Sequence, residues 1–166
     1  MNIILIGMPG CGKSTIGVIL AKTLLLDFLD TDLIIQNKYG KALYQIINDL
    51  GTNEFKSIEN NIISQIECEN CVIATGGSAV YGEKAMQNLK KDGKIIYLKL
   101  PEAEIINRLN NIKTRGIVIE KGHTINQLYL ERTPLYEKYA DITVDCSGLT
   151  AEECVEKIIE KLKADA

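Results

Sequence analysis

The chain has 166 residues, of which 46% are hydrophobic and 25% are charged, a composition typical of one globular domain with a substantial core. Its formal net charge of −3 lacks the basic excess that indicates a nucleic-acid surface. No apolar stretch approaches the roughly 20 residues of a bilayer-spanning helix, so we expect a cytoplasmic protein without nucleic-acid or membrane partners.

Short apolar runs alternate with amphipathic stretches of helical length along the chain. Strands are predicted over residues 2–7, 26–30, 71–75, 94–100 and 141–144. Helices are predicted over residues 13–25, 32–38, 42–50, 53–67, 83–91, 102–109, 125–139 and 151–163. Such alternation is typical of a parallel sheet covered by helices on both faces. We therefore predict a three-layer α/β/α fold with a five-stranded parallel sheet, forming one domain over residues 1–166.

The first predicted strand is followed by a glycine-rich loop, GMPGCGKS, at residues 7–14. Ligands of parallel sheets bind outside the carboxyl ends of the strands. In a loop of this spacing, backbone N–H groups and the positive end of the following helix hold phosphate. Lys13 would reach the β- and γ-phosphates, and Ser14 would ligate Mg²⁺. The loop predicts a nucleoside triphosphate site, with ATP as the ligand.

An Asp-Thr-Asp block at residues 30–32 follows the second predicted strand. One carboxylate near the phosphates could orient Mg²⁺ through water, and the other could accept a hydrogen bond from an attacking hydroxyl. The alternative is that the block only caps the next helix, because Asp and Thr are favoured there. Its position at a strand end favours the catalytic interpretation.

The third predicted strand ends at Gly76, Gly77 and Ser78, and consecutive glycines let a ligand approach the backbone closely. The magnesium-binding Asp that many hydrolytic phosphate-loop proteins carry at such a strand end is missing from this segment. The NKYG sequence at residues 37–40 lacks the Asp of a guanine-recognition motif and lies in the wrong place. These observations argue against a GTPase.

A polar stretch covers residues 110–121. A mobile lid with an arginine would exclude water and neutralise charge on the transferring phosphoryl group. Arg115 is the candidate for that arginine, with Arg108 and Arg132 flanking the stretch. The alternative is that the charged residues form an ordinary solvated surface.

The five cysteines are an odd number in a chain without an export signal, which argues against a disulfide framework. Cys68 and Cys71 have CxxC spacing but no second cysteine pair, and His123 is the only histidine. We therefore expect Cys68 to end a helix and Cys71 to begin a buried strand, without a zinc or redox role.

Together these residues resemble the shikimate kinase family over nearly the whole chain. The resemblance rests on the phosphate loop and on four further blocks: DTD at residues 30–32, EFKxxE at 54–59, GGxAV at 76–80, and ERxPLY at 131–136 leading to Ala140 and Asp141. It implies a nucleoside monophosphate kinase-like P-loop fold with a substrate-binding helical segment at residues 31–67 and a lid at residues 110–123. It also implies transfer of the γ-phosphoryl group of ATP to shikimate, giving shikimate 3-phosphate for aromatic amino-acid biosynthesis.

The resemblance also implies roles for individual residues. ATP would be held by Gly10, Cys11, Gly12, Lys13, Ser14, Thr15, Arg108 and Arg115, and the turn after Asp145 would border the adenine. Ser14 would bind Mg²⁺, and Asp30 would support the ion through water. Shikimate would contact Asp32, Lys56, Gly76, Gly77 and Arg132. Lys13 and Arg115 would stabilise the transferring phosphoryl group, and Asp32 would help deprotonate the attacking hydroxyl.

Four positions depart from the family pattern. Lys56 replaces an arginine; a guanidinium binds a carboxylate through two parallel hydrogen bonds and an ammonium does not, which can weaken binding by about 1 to 3 kcal/mol. Ser78 replaces a third glycine and adds a hydroxyl near the ligand. Residues 116 and 117 are Gly-Ile where the family commonly has Pro-Leu, and residues 146–148 lack a basic residue often found there.

Two other functions stay open at this point. The changes at Lys56 and Ser78 would suit a related kinase for another hydroxy acid such as gluconate. A nucleotide-binding regulatory module without phosphotransfer would not need Asp32, whose presence beside Lys13 argues against it. We expect a monomer, because no long apolar helix or strand edge is evident for a partner.

Overall fold

The computed structural model describes residues 1–110 and 122–166. The described strands are β1 (Asn2–Ile6), β2 (Asp27–Asp30), β3 (Cys71–Ala74), β4 (Gly93–Lys99) and β5 (Ile142–Asp145). The described helices are α1 (Lys13–Leu24), α2 (Thr31–Tyr39), α3 (Leu43–Leu50), α4 (Thr52–Ile63), α5 (Glu83–Lys91), α6 (Glu102–Asn110), α7 (Ile125–Tyr139) and α8 (Ala151–Ala164). The predicted α/β alternation is therefore confirmed.

The strands form one parallel sheet in the order β2-β3-β1-β4-β5. At its centre, Ile4 of β1 pairs with Ile73 of β3 on one side and Ile95 of β4 on the other. Since all strands run in the same direction, the loops after β1, β2 and β3 leave from one edge of the sheet. This edge brings the predicted phosphate loop, the Asp-Thr-Asp block and the glycine turn together.

The main core lies on the sheet. Successive side chains of a strand point to opposite faces, and all five residues of β1 are buried, so both faces are covered. Ile4, Leu5 and Leu98 have no exposed surface, and Leu20 of α1 is equally buried against them. This core supports the strand and helix on either side of the phosphate loop.

A second, smaller core holds helices α2, α3 and α4 together. Its buried members are Ile35, Leu43, Ile46, Ile47, Phe55 and Ile62. These residues lie on one stripe of each short helix, which is how amphipathic helices bury an apolar face. The helical segment predicted at residues 31–67 therefore has apolar packing of its own.

Helix α4 is shorter than the prediction for residues 53–67, because it ends at Ile63. The side-chain amide of Asn88 donates to the backbone carbonyls of Ile63 and Ile66, each over 3.0 Å. In a longer helix these carbonyls would instead accept hydrogen bonds from backbone N–H groups. The sequence pattern did not reveal this long-range cap. Cys68 consequently lies in the connection before β3 and not at a helix end, whereas Cys71 begins β3 as predicted.

The described residues include no helix long and apolar enough to cross a membrane. All five cysteines are free thiols. Within residues 1–110 and 122–166, no three His, Cys, Asp or Glu side chains are grouped so that they could hold a metal ion by themselves.

Candidate functional site

The loop between β1 and α1 closes around the side chain of Lys13. Lys13 Nζ donates to the carbonyl oxygens of Gly7 over 2.7 Å and Met8 over 2.9 Å, and the residue is only 7% exposed. Gly10 and Gly12 have φ values of 80° and 98°, which side-chain-bearing residues rarely adopt. Because α1 begins at Lys13, its positive N-terminal end faces the loop. The loop thus has the geometry of an anion site.

The side chain of Asp30 joins the phosphate loop to the next helix. Its Oδ2 accepts a 2.7 Å hydrogen bond from Ser14 Oγ at the start of α1. Its Oδ1 accepts from the backbone N–H of Asp32 over 2.9 Å and caps α2. Capping and contact with Ser14 are therefore performed by one carboxylate, so the two interpretations of the Asp-Thr-Asp block are compatible.

Two carboxylates from different helices converge on the glycine turn after β3. A Cβ on Gly76 would lie 2.5 Å from Glu59 Oε2 and 2.8 Å from Asp32 Oδ1, so only glycine fits. Glu59 Oε1 accepts a 2.5 Å hydrogen bond from Ser78 Oγ. The Ser78 hydroxyl is therefore buried against Glu59, beside the turn that is predicted to contact the ligand.

Glu59 is 1% exposed, and burial raises the pKa of its carboxyl to about 7. The hydrogen bond from Ser78 lowers this pKa, the nearby charge of Asp32 raises it, and the cations Arg132 and Lys13 lower it. Glu59 therefore changes charge near neutral pH, next to Asp32.

Arg132 of α7 is buried, at 1% exposure, on the other side of the glycine turn. Its Nε donates to the hydroxyl of Tyr81 over 3.3 Å, and Tyr81 donates to Glu131 over 2.5 Å. Lys56 Nζ lies 4.2 Å from the centroid of the Tyr81 ring, within cation–π range. The two cations assigned to a substrate carboxylate thus share one tyrosine.

Gly77 lies where the phosphate loop and Arg132 meet. A Cβ at this position would be 2.8 Å from Pro9 Cδ and 3.0 Å from an Arg132 guanidinium nitrogen. The hydroxyl of Tyr136 donates to the Gly77 carbonyl over 2.6 Å, and the Tyr136 ring stacks on Tyr97 with centroids 5.1 Å apart. This packing fixes the turn and leaves no room for a larger residue.

Arg108 of α6 lies against the phosphate loop. Its guanidinium donates to the Gly10 carbonyl over 3.3 Å and pairs with Glu104 at 2.8 Å. Across the same sheet edge, Ser147 donates to Asp145 through its backbone and its hydroxyl, which lowers the pKa of Asp145. Arg108 therefore lies beside the loop that is predicted to hold the nucleotide.

The structure brings together most of the predicted site residues. Lys13, Ser14 and Asp30 meet at the loop, and Asp32, Gly76, Gly77 and Arg132 meet beside it. Lys56 joins this second group through Tyr81. Gly10, Cys11 and Gly12 form the loop itself, and Thr15 is exposed in the first turn of α1. Arg115 and its neighbours 111–121 lie outside the described residues.

Sequence reasoning assigned no role to Glu59, Tyr81 or Tyr136. For Glu59 a signal existed, because it occupies the buried stripe of α4 with Phe55, Ile62 and Ile63, where an acidic residue is unusual. Tyr81 and Tyr136 gave no such signal, since their contacts depend on chain segments far apart in sequence.

A phosphate loop at the carboxyl edge of this parallel sheet, with polar groups converging beside it, defines a P-loop kinase. Comparison with known proteins narrows the class. The model of the shikimate kinase family matches residues 9–163. The chain therefore belongs to the shikimate kinase family, ATP-dependent phosphotransferases with an alcohol group as acceptor.

The curated relatives cover nearly the whole chain. The shikimate kinase of Thermodesulfovibrio yellowstonii is 40% identical over 163 residues, covering 96% of this chain and 94% of the relative. A shikimate kinase of Francisella tularensis is 38% identical, and the match covers 95% of this chain and 92% of the relative. The predicted family and activity are thus confirmed, and the alternatives are not favoured.

Solved structures agree with this assignment. The shikimate kinase of Acinetobacter baumannii in complex with shikimate has a TM-score of 0.91 and 29% identity, covering 99% of this chain and 93% of that one. The Aquifex aeolicus shikimate kinase has a TM-score of 0.85 and 32% identity, covering 99% and 98%. A gluconokinase of Sinorhizobium meliloti, 18% identical with a TM-score of 0.58 and covering 99% and 93%, shares the fold alone.

Proposed function

We propose that this enzyme binds ATP on the loop at residues 7–15 and shikimate beside Asp32, Gly77 and Arg132, and transfers the γ-phosphoryl group between them. The observation that carries the proposal is the double contact of Asp30. One of its oxygens accepts from Ser14 on the nucleotide side, and the other accepts from the backbone of Asp32 on the acceptor side. A single carboxylate thus sets the position of Asp32 relative to the loop.

The nucleotide part of the proposal concerns six residues of the loop and α1: Gly10, Cys11, Gly12, Lys13, Ser14 and Thr15. The left-handed glycines and the N-terminus of α1 direct N–H groups toward a bound phosphate. Lys13 already lies in the loop and would exchange carbonyl contacts for phosphate oxygens. Its positive charge would stabilise the negative charge of the transferring group.

Mg²⁺ fits the pair formed by Ser14 and Asp30. A hydroxyl and a carboxylate 2.7 Å apart are hard oxygen donors of the kind the ion prefers. We assign Ser14 as a direct ligand and Asp30 as a ligand through water. The ion would supply charge neutralisation between the phosphates, with its remaining ligands coming from phosphate and water.

The acceptor part of the proposal assigns Arg132 and Lys56 to the carboxylate of shikimate. Asp32 accepts the proton of the attacking hydroxyl, and the Gly76–Gly77 backbone approaches the ring. In the transfer, a bond forms between the hydroxyl oxygen and the γ-phosphorus, and the bond from that phosphorus to the bridging oxygen of ADP breaks. The proton passes to Asp32 and then to water.

Two further arginines complete the proposal. Arg108, held against the Gly10 carbonyl, would border the adenine. Arg115 keeps the role of lid arginine from the family resemblance, with residues 110–123 as the lid.

We also propose that the enzyme acts as a monomer in the cytoplasm. Its five free thiols fit the reducing conditions of that compartment.

The decisive experiment measures ADP release from Mg-ATP with and without shikimate, for the unmodified enzyme and for Asp32→Asn. We expect shikimate to stimulate ADP release strongly. Asp32→Asn should lower kcat by roughly 10²- to 10⁴-fold, the usual contribution of a general base, and should leave ATP binding intact.

The matched control is Asp49→Asn, which removes an exposed carboxylate on α3 that pairs with Lys41. Its activity should stay within twofold of the unmodified enzyme. An Asp32→Asn variant with unchanged turnover would refute the assignment of the base. Stimulation by gluconate but not by shikimate would refute the proposed acceptor.

A further inference from the structure

Ser78 makes a buried contact that a glycine could not make. It is 4% exposed, and its hydroxyl donates to Glu59 Oε1 over 2.5 Å. Because Glu59 also faces Gly76, the Ser78 hydroxyl belongs to the acceptor side of the site.

Glu59 is surrounded by charges from several elements. Asp32 of α2 carries the same charge, and its Oδ1 converges with Glu59 Oε2 on Gly76. Arg132 of α7 has the opposite charge, and a nitrogen of its guanidinium lies 3.0 Å from the position of a Cβ on Gly77, next to Gly76. Lys13 of α1 is also positively charged. Within residues 1–110 and 122–166, Oε2 itself has no hydrogen-bond partner, so Ser78 makes the side-chain hydrogen bond that orients this carboxyl.

We propose that Ser78 is a positioning residue for the phosphoryl acceptor: it holds Glu59 as a carboxylate in one orientation, and the charge of Glu59 holds the Arg132 guanidinium in place. The proposal rests on the proposed function, which assigns Arg132 and Asp32 to the acceptor. Ser78 acts through Glu59 and does not touch the reacting atoms.

The physical reason is that a hydroxyl donor stabilises the ionised form of a carboxyl. Burial raises the pKa of Glu59 to about 7, and the bond from Ser78 opposes that rise. Without the hydroxyl, more of the enzyme would carry a neutral Glu59 at neutral pH. A neutral carboxyl attracts Arg132 less, so the acceptor would bind more weakly.

The test compares the unmodified enzyme, Ser78→Ala, Glu59→Gln and the double variant between pH 5.5 and 9. We expect Ser78→Ala to raise KM for shikimate roughly three- to tenfold, an effect on the scale of one hydrogen bond, and to leave KM for ATP within about twofold. It should also move the acidic limb of kcat/KM to higher pH. In Glu59→Gln this limb should disappear, and adding Ser78→Ala should cause no further pH shift.

Thr75→Val is the matched control, because it also removes a buried hydroxyl bond, from Thr75 to the Leu5 carbonyl over 2.9 Å. It should lower the midpoint of thermal unfolding without moving the pH profile. If Ser78→Ala behaves like Thr75→Val, or if its pH shift persists in the Glu59→Gln background, the proposal is wrong.

A second readout does not depend on turnover. In protein labelled with ¹³C-glutamate, the Glu59 carboxyl signal is identified by its loss in Glu59→Gln and then titrated. Ser78→Ala should raise its midpoint, and an unchanged midpoint would overturn the proposal. If the unmodified enzyme does not respond to shikimate, the proposed function fails, while this titration still tests the link between Ser78 and Glu59.

Discussion

The nucleotide side and the acceptor side of the site are built in different ways. The nucleotide side is one continuous segment, residues 7–15, supported by the main core through β1 and α1. The acceptor side combines separate segments that carry Asp32, Lys56, Gly77 and Arg132, and α2 to α4 rest on their own small core. The nucleotide side therefore depends mainly on local backbone geometry. The acceptor side depends mainly on how the fold places side chains that are distant in the sequence.

The largest effect expected on the nucleotide side comes from Lys13→Met. Removing this buried ammonium takes away a cation at the transferring phosphoryl group, and kcat should fall roughly 10²- to 10³-fold. Steady-state kinetics with Mg-ATP and shikimate would measure the loss. Lys22→Met, an exposed lysine in the last turn of the same helix, should leave kcat unchanged. Equal kcat values for the two variants would show that Lys13 is not catalytic.

On the acceptor side, Glu59→Gln should change the pH dependence of stability. The pKa of Glu59 rises from 4.5 to about 7 on folding, mainly through burial. As pH rises through this window, the unfolded chain releases the proton first, so the free energy of unfolding falls by about 3 kcal/mol and stays low above it. Glutamine has no such titration.

The free energy of unfolding of Glu59→Gln, relative to the unmodified enzyme, should therefore increase from pH 4.5 to pH 8. Urea denaturation at several pH values would measure this difference. Glu54→Gln, an exposed residue of the same helix α4, is the control and should show little change. A constant difference for Glu59→Gln across the window would contradict the raised pKa.

Arg132→Lys tests whether the two sides are separable. Losing the planar guanidinium should lower kcat/KM for shikimate, which corresponds to a loss of about 1 to 3 kcal/mol in transition-state binding. KM for ATP should be unchanged. Arg108→Lys is the opposite probe, because Arg108 contacts the phosphate loop. It should raise KM for ATP and spare shikimate. Matching effects of both variants on both substrates would show that the sides are not independent.

Gly77→Ala should affect the nucleotide side and the acceptor side together, because a Cβ at this position would collide with both Pro9 and Arg132. We expect a loss of about 1 to 3 kcal/mol in stability, as for other overpacked sites, and a rise in KM for both substrates. Thermal unfolding and two-substrate kinetics would show it. Adding Pro9→Ala removes the 2.8 Å contact and should recover part of the stability. If no stability is recovered, the collision with Pro9 is not the cause of the loss.

Lys56→Arg should have the smallest effect. A guanidinium can bind the shikimate carboxylate with two hydrogen bonds and can still stack on Tyr81. We expect KM for shikimate to fall a fewfold, about 1 kcal/mol or less, with ATP kinetics unchanged. A higher KM for shikimate would show that a lysine packed over Tyr81 suits this site better than an arginine.

The sequence predicted the centre of the sheet well because β1, β3 and the middle of β4 are short apolar runs that are buried on both faces. Boundaries were less predictable where a distant residue acts on them. At the end of helix α4, Asn88 of another helix donates to the carbonyl of the last residue, Ile63, and to that of Ile66 beyond it. The 3₁₀ turn Ala79–Tyr81 was not predicted either, since three residues are too few for a periodic signal.

By itself the sequence determined the nucleotide loop, the parallel α/β fold and the family, because these depend on residues close together in the chain and on apolar patterns of fixed period. Only the tertiary structure decided that Asp30 both caps α2 and binds Ser14, that Ser78 faces Glu59, and that Lys56 and Arg132 share Tyr81. Apart from the helix cap, those contacts join residues that are between 16 and 51 positions apart in the chain. Burial and neighbouring charge, which set the ionisation of Glu59, exist only once the chain has folded.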